Sequence, residues 1–245
     1  LLDGAAVLIV STLGTKGQWL DEMTQILQGR HPEIIVAGGD RRTRLHAYRA
    51  WAGTSVLPVL VIHHDSMRRD VRWLGGAMLV HKKAGRQVVF ILDEASIIRN
   101  PTTKSFRAAR RLGPLASRRF ALTATPLENG LEDLWGIAEW CRPGHFGPLW
   151  QFDARHVVSE VRSSRRRGSY TVVTGYKNLS EVRYALRPLY LRRTAKEVGL
   201  ELPAIIATTR ELPMERVQRQ TYDRVKAEAR RKNVNPVVIL QTLRQ

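Results

Sequence analysis

Val88-Val89-Phe90-Ile91-Leu92-Asp93-Glu94-Ala95-Ser96 is an apolar run that ends in two adjacent carboxylates. Further on, Ala121-Leu122-Thr123-Ala124-Thr125-Pro126 repeats the plan, with two threonines flanking an alanine where the acids stood. Short apolar runs of this kind read as strands buried on both faces. Two such strands, each delivering polar groups at its C-terminal end, are how an open parallel α/β sheet builds a nucleotide site. Asp93 is placed to hold a Mg²⁺, directly or through water, and Glu94 to orient and deprotonate the water that attacks a γ-phosphate. The hydroxyls of Thr123 and Thr125 are placed to bond those carboxylates or that water. A lone Asp-Glu after an apolar run is a weak signal, because acids often cap the next helix; the pairing of the two motifs carries the reading.

Working outward, residues 5–10, 33–37 and 56–62 are further apolar runs and read as strands, with 88–92 and 119–122 the two already quoted. Between them, residues 16–28, 41–51, 66–79, 101–112 and 131–140 carry apolar residues at helical spacing. Strand and helix alternate, which predicts a doubly wound α/β fold with a central, mainly parallel sheet. The pattern changes at Phe146. Residues 146–176 read as irregular, with an exposed loop at 163–169. Residues 179–191, 215–232 and 235–244 read as helices, and 205–212 as a strand. The expected division is therefore residues 1–145 as the sheet domain and 146–245 as a helical C-terminal extension.

The 245 residues include 40 Lys+Arg against 22 Asp+Glu, a net charge of +18, and 43% are hydrophobic. That is enough apolar content for a packed core, and the charge points to a polyanionic partner, most simply nucleic acid. The surplus is uneven: residues 152–245 hold 20 basic against 9 acidic side chains. No apolar run reaches the roughly 18 residues of a membrane span. A single cysteine, Cys141, excludes an intrachain disulfide framework and fits a reducing compartment. In its apolar helical setting it reads as a structural thiol rather than a nucleophile. The tryptophans, mostly at apolar helical positions, read as core rather than as base-stacking platforms. His63-His64-Asp65 lacks the partners for a tetrahedral metal site, and Asp65 is expected to cap the following helix.

A phosphate cradle is missing. A P-loop needs Gly-x-x-x-x-Gly-Lys-Ser/Thr between a strand and a helix, and Leu13-Gly14-Thr15-Lys16-Gly17 has these residue types in another order. It reads as a strand-to-helix loop whose backbone amides suit a phosphate, that of DNA before that of ATP. The chain opens on Leu1 rather than Met, so the expectation is a piece of a longer polypeptide whose first strand and P-loop lie upstream.

Taken together, these motifs resemble the first motor lobe of the Swi/Snf-type superfamily-2 ATPases. Asp93-Glu94-Ala95-Ser96 resembles the family's Walker B motif, with Ser96 where His is usual. Ile98-Arg99-Asn100 and Ser105 resemble the stretch that follows it. Residues 122–129 with Leu131-Glu132-Asp133-Leu134-Trp135 resemble motif III and its helix. Ser11 to Trp19 with Glu22 resembles motif Ia, and residues 59–69 the next block. Leu186-Arg187-Pro188-Leu189-Tyr190-Leu191-Arg192-Arg193-Thr194, then Leu202-Pro203, resembles the segment closing the lobe. The resemblance implies a three-layer RecA-like P-loop NTPase fold lacking its first strand and P-loop. It also implies ATP and Mg²⁺ as cofactors, double-stranded DNA as partner, and a second lobe beyond Gln245.

In that family the first lobe grips the phosphate backbone, which sets register rather than sequence preference. The candidate DNA contacts are Ser11, Thr12, Lys16, Arg99, Asn100, Arg192 and Arg193; for each arginine, a solvated surface charge is the competing reading. Arg165-Arg166-Arg167 reads as a phosphate-attracting loop. The expected activity is DNA-dependent ATP hydrolysis by the parent protein, in the cytoplasm or nucleoid, or in the nucleus of a eukaryote; this piece alone is expected to be inactive. Two rivals stand beside it: a non-catalytic DNA-binding scaffold, and an RNA or single-strand helicase of the same superfamily.

Overall fold

The computed structural model describes residues 4–27, 30–164, 168–194, 197–199, 208–210 and 212–231. Strands β1 (Ala6–Ser11), β2 (Glu33–Val36), β3 (Pro58–His63), β4 (Val88–Leu92) and β5 (Arg118–Ala121) make one sheet in the order β2-β3-β1-β4-β5. Every neighbouring pair is parallel. β1 is the central strand, with Val7 opposite Val59 on one side and Val89 on the other, and all six of its residues are buried. Each of the five strands expected within residues 1–145 forms within two residues of its expected limits.

Alternate residues of these strands face two separate cores. Leu8, Val10, Leu60, Ile62 and Phe90 meet Trp51, Met67, Met78, Phe106 and Trp140. Those partners come from α2 (Arg41–Gly53), α3 (His64–Arg69), α4 (Val71–Lys83), α5 (Lys104–Leu112) and α6 (Leu131–Cys141). On the opposite face Val7, Ile9, Val59, Val61 and Val89 meet Met23 and Leu27, from α1 (Lys16–Ile26) and the turn after it. The fold is thus three-layered but lopsided. α1 lies over β2 and β3, which leaves Ile91 half-buried and its neighbour across the ladder, Phe120, 47% exposed. Among the described residues β5 pairs only with β4, so its outer edge is open.

The expected helix over residues 66–79 is two helices, α3 and α4. The break falls at Asp70, whose carboxylate accepts from Arg44 Nε (2.6 Å) and Nη2 (3.3 Å) and from the Tyr48 hydroxyl (2.9 Å). Burial, and then the Asp70 charge, push the Tyr48 phenol above its ordinary pKa. The cap of α3 is also not the one expected: the His63 side chain accepts from the Asp65 N–H, while Asp65 pairs with Arg68. α5 starts late, at Lys104, because Thr103 caps it by accepting from Phe106 N–H at 3.1 Å.

The stretch expected to be irregular is ordered. It holds α7 (Leu149–His156) and an antiparallel hairpin of β6 (Val157–Ser164) and β7 (Gly168–Tyr176). Both faces of the hairpin's outer half are exposed, so its side chains never acquired the apolar–polar alternation that marks a half-buried strand. Ser163, Ser164, Gly168 and Ser169 belong to its strands rather than to a loop, and Arg165-Arg166-Arg167 lie outside the described residues. α8 (Leu179–Leu186) ends in a turn instead of running to Leu191.

The chain forms two compact units, Leu1–Leu191 and Arg192–Gln245. Phe152 of α7 and Val182 of α8 are buried in the same core as the sheet. The change of architecture after residue 145 is therefore internal to the first unit. In the second unit the described helix is α9 (Arg216–Arg231). The expected helix at 235–244, Leu202-Pro203 and residues 205–207 and 211 of the expected strand at 205–212 lie outside the described residues, and residues 208–210 and 212 are not in a strand.

Candidate functional site

All five strands point the same way, so their C-terminal ends share one edge, and the sequence-derived candidates collect there. β4 leaves the sheet at Leu92, and the next two residues form a tightly held corner. Asp93 N–H donates to Val10 O of β1 (2.8 Å), and Glu94 N–H donates to the Asp93 carboxylate (3.0 Å). Ala95 N–H donates to Leu122 O (2.8 Å), while Leu122 N–H donates to Leu92 O (2.9 Å). Glu94 sits in the left-handed region, φ 48° and ψ 52°, which costs a non-glycine residue roughly 1–2 kcal/mol. The surrounding bonds hold it there, and its exposed carboxylate accepts no hydrogen bond from any described residue. Backbone held against its own preference clusters at functional sites.

The two carboxylates are unlike. Asp93 is half-buried and already engaged: it accepts from the indole N–H of Trp19 at 2.9 Å and from the Thr15 hydroxyl at 3.4 Å. Its carbonyl meets Nε2 of His64 at 2.7 Å. A carbonyl only accepts, so Nε2 carries a proton and donates to it, and desolvation holds His64 below its ordinary pKa. Trp19, Thr15 and His64 are site residues that sequence reasoning missed as such. A signal was present: a strand order with β1 beside β4 brings the loop after β1 next to Asp93, so the first turn of α1 had to meet it.

Thr123 and Thr125 lie one step away, after β5. Thr123 Oγ1 accepts from Thr125 N–H at 3.1 Å, and neither hydroxyl bonds Asp93 or Glu94 among the described residues. This loop is tied back to the Asp93 corner by Arg99. The Arg99 guanidinium pairs with Glu128, and its Nε lies 3.8 Å from Asp133 Oδ1. Asp133 in turn accepts from Asn129 N–H at 2.9 Å and Glu128 N–H at 3.3 Å. Gly136 allows this arrangement. A Cβ there would overlap the Arg99 carbonyl oxygen and stand 2.9 Å from Ile98 O, so α6 reaches the backbone after Glu94 only because residue 136 has no side chain.

The expected DNA contacts fare unevenly. Ser11 is fully buried between β3 and β4 and donates to Thr12 O, so it does not reach a phosphate. Arg99 is committed to Glu128 and Asp133. Asn100 builds a turn, its side chain accepting from Thr102 N–H (2.9 Å) and Thr102 hydroxyl (2.8 Å). Thr12 is half-buried, its hydroxyl 3.0 Å from that of Thr15. Lys16 is half-buried at the same edge, with Nζ donating to Ala37 O at 3.1 Å. Arg192 and Arg193 are exposed in the second unit.

The other singled-out residues divide. Cys141 is a structural thiol, raised to about 11 mainly by burial. Trp51, Trp135 and Trp140 are core, but Trp73 and Trp150 are exposed, against the expectation. Among the described residues no helix is long and apolar enough to cross a membrane.

A Mg²⁺ bound with nucleotide characteristically takes one or two protein carboxylates and fills its shell with phosphate and water. Asp93 fits that donor set.

Comparison with known proteins gives this geometry a family. Over 136 residues the chain is 33% identical to YwqA of Bacillus subtilis, provisionally named an ATP-dependent helicase/translocase; the match covers 55% of this chain and 13% of that protein. DNA repair protein RAD5 of Cryptococcus neoformans is 26% identical over 247 residues, covering 94% of this chain and 19% of its own length. The chain thus spans a small part of these relatives. The SWI2/SNF2 ATPase core of Sulfolobus solfataricus, solved in complex with double-stranded DNA, superposes with a TM-score of 0.54 at 21% identity. That match covers 98% of this chain and 47% of the other, and the shared fold is RecA-like. The profile of the SNF2-related domain matches residues 3–242, and the chain belongs to that family.

Proposed function

We propose that this chain is most of the first motor lobe of an ATP-dependent translocase working on double-stranded DNA. The observation that carries the reading is the corner at the end of β4: two adjacent carboxylates, one engaged and one free, with the free one held left-handed beside the threonine loop. Asp93 would hold the Mg²⁺ of Mg²⁺-ATP, which would supply charge neutralisation on the phosphates when bound. Glu94, whose carboxylate has no donor among the described residues, orients the attacking water and takes its proton. Asp93 is fixed in direction by Trp19 and Thr15. Thr123 and Thr125 report the state of the nucleotide to the loop that follows them.

A strand and phosphate loop from elsewhere in the parent protein complete the site by pairing on β5. Its open edge and the exposed Phe120 and Leu122 support this. Residues 1–145 supply the nucleotide half of the lobe and 146–245 the extension toward a second lobe. The duplex is held by its phosphates, through Thr12, Lys16, Arg192 and Arg193 and the wider +18 charge. The work is done wherever duplex DNA lies, in the cytoplasm or nucleoid or in a nucleus.

The test is steady-state ATP hydrolysis by the full-length parent with duplex DNA, single-stranded DNA or RNA, against Glu94→Gln. Duplex-stimulated turnover abolished by Glu94→Gln is the expected result. Stimulation by RNA or single strands alone makes the protein a helicase of another kind. DNA binding by a folded protein with no turnover makes it a scaffold.

A further inference from the structure

We propose that the outer face of α4 is a docking surface for an acidic amphipathic helix of a partner protein. α4 buries Leu74, Ala77, Met78 and His81 against the core. On its opposite side Trp73 is 44% exposed, Val80 49% and Leu79 40%. Single exposed apolar residues are ordinary; here Trp73 and Val80, seven residues apart, share one line along the helix, with Leu79 about a third of a turn further round. Trp73, Gly76 and Val80 follow one another at i, i+3 and i+7, so they form a single ridge with a gap in its middle.

The gap is not explained by packing inside the chain. A Cβ on Gly75 would stand 3.5 Å from Leu115 and 3.6 Å from Leu112, touching α5 and the turn after it. A Cβ on Gly76 would meet nothing within 4 Å. Glycine in mid-helix weakens the helix, and here nothing among the described residues asks for it. A notch between Trp73 and Val80 lets the backbone of a second helix approach more closely than side chains would allow.

Charge selects the partner. Arg72 and Lys83 flank the ridge, and neither is in an ion pair among the described residues. A second copy of this chain would bring its own +18 to a face that is already basic. An acidic helix with apolar residues at i, i+3 or i+4 and i+7 matches both the ridge and its flanks. From Arg72 to Lys83 the face is roughly 16 Å long at 1.5 Å per residue, about three turns of such a helix. β4 begins just after α4 ends, so the Lys83 end lies at the opposite edge of the sheet from Asp93. The proposal is therefore independent of the motor reading.

The experiment uses the full-length parent and a fluorescein-labelled synthetic 18-residue Glu/Leu helix. A scrambled peptide of the same composition and a Lys/Leu helix serve as controls. Binding is read by anisotropy, and the site by a photo-crosslinking amino acid in place of Leu79. The Glu/Leu helix is expected to bind and to crosslink at position 79. Trp73→Ser, and Arg72→Glu with Lys83→Glu, are each expected to weaken it by about tenfold or more, the size of a lost anchor at an interface. Gly76→Ala is expected to weaken it as well, while raising the melting temperature, which separates docking from damage to the helix. Circular dichroism confirms that each variant folds. Equal binding of the scrambled peptide, or indifference to both Trp73→Ser and Gly76→Ala, overturns the proposal. Loss of duplex binding in the same variants overturns it in favour of a nucleic-acid surface. A dimer that Trp73→Ser dissociates overturns it in favour of self-association.

Discussion

Replacing Gly136 by Ala separates two physical effects that usually act together. In mid-helix this change ordinarily stabilises, by about 1 kcal/mol, because alanine is the better helix former. At Gly136 the new methyl would overlap the Arg99 carbonyl oxygen and stand 2.7 Å from its carbonyl carbon and 2.9 Å from Ile98 O. Carbon atoms in contact prefer about 3.5–4.0 Å, so α6 must withdraw by ~1 Å from a stretch of backbone with little freedom to yield. That stretch is held by Ala95 N–H to Leu122 O and by Arg99 to Glu128. Overpacking of this kind costs ~1–3 kcal/mol, and the rigid target puts the cost at the upper end. Less the propensity gain, the expected net loss is about 1–2 kcal/mol, a factor of roughly 5–30 in the opening equilibrium. Hydrogen exchange of the full-length protein reads it directly, as faster exchange of the α6 amides by that factor. Gly76→Ala is the matched control: the same substitution in mid-helix, with nothing within 4 Å of the new methyl, and exchange in α4 should slow. If Gly136→Ala leaves α6 as protected as before, or more so, the close approach of α6 to Arg99 is wrong.

Four further outcomes follow from the described geometry. Burial, and then the positive charge of Arg86, hold His81 at about 4. The unfolded chain binds a proton on His81 at its ordinary value near 6.5, so stability is full above that pH and falls toward pH 4, by at most about 3 kcal/mol. Urea midpoints across that range should show the decline, flattened by His81→Gln. Asp70→Ala leaves Arg44 buried and unpaired and should cost ~3–5 kcal/mol, whereas Asp70→Leu with Arg44→Met should cost clearly less in a double-mutant cycle. Arg99→Met should leave the salt dependence of duplex binding unchanged, because its guanidinium is spent on Glu128; a phosphate contact would lower the slope by about 1. Cys141, raised to about 11, should react with a thiol reagent at neutral pH roughly 100-fold more slowly than a free thiol, and at the ordinary rate once unfolded.

The sheet was legible because its strands are buried on both faces, and continuous apolar runs such as residues 6–10 and 88–92 admit few other readings. The Asp93-Glu94 corner was legible for the same reason: polar residues directly after a buried strand must emerge at the sheet edge. What escaped depended on contacts between distant segments. Asp70 breaks a helix only because Arg44 and Tyr48 of the preceding helix take its carboxylate. Ser11 looked available beside Thr12, but it is the last residue of the central strand and is walled in by both neighbours. Arg99 looked like a free cation until Glu128 and Asp133 were folded against it. Trp19 was read as core, and half of it is; its indole N–H is the part that reaches Asp93. The hairpin of β6 and β7 was missed because neither face of its outer half is buried, and burial is what writes a strand's period into the sequence.

The left-handed backbone at Glu94 sets stability against function at one position. Glycine adopts φ near 48° without strain, so Glu94→Gly would relieve the roughly 1–2 kcal/mol of left-handed strain, less the extra entropy glycine loses on folding, while removing the carboxylate proposed to activate water. A library of this chain screened only for survival at high temperature should therefore enrich glycine at position 94, and the better the screen works, the fewer active clones it should return. Glutamate at this position is the residue that a selection for activity would have to defend, generation after generation, against the preference of the backbone beneath it.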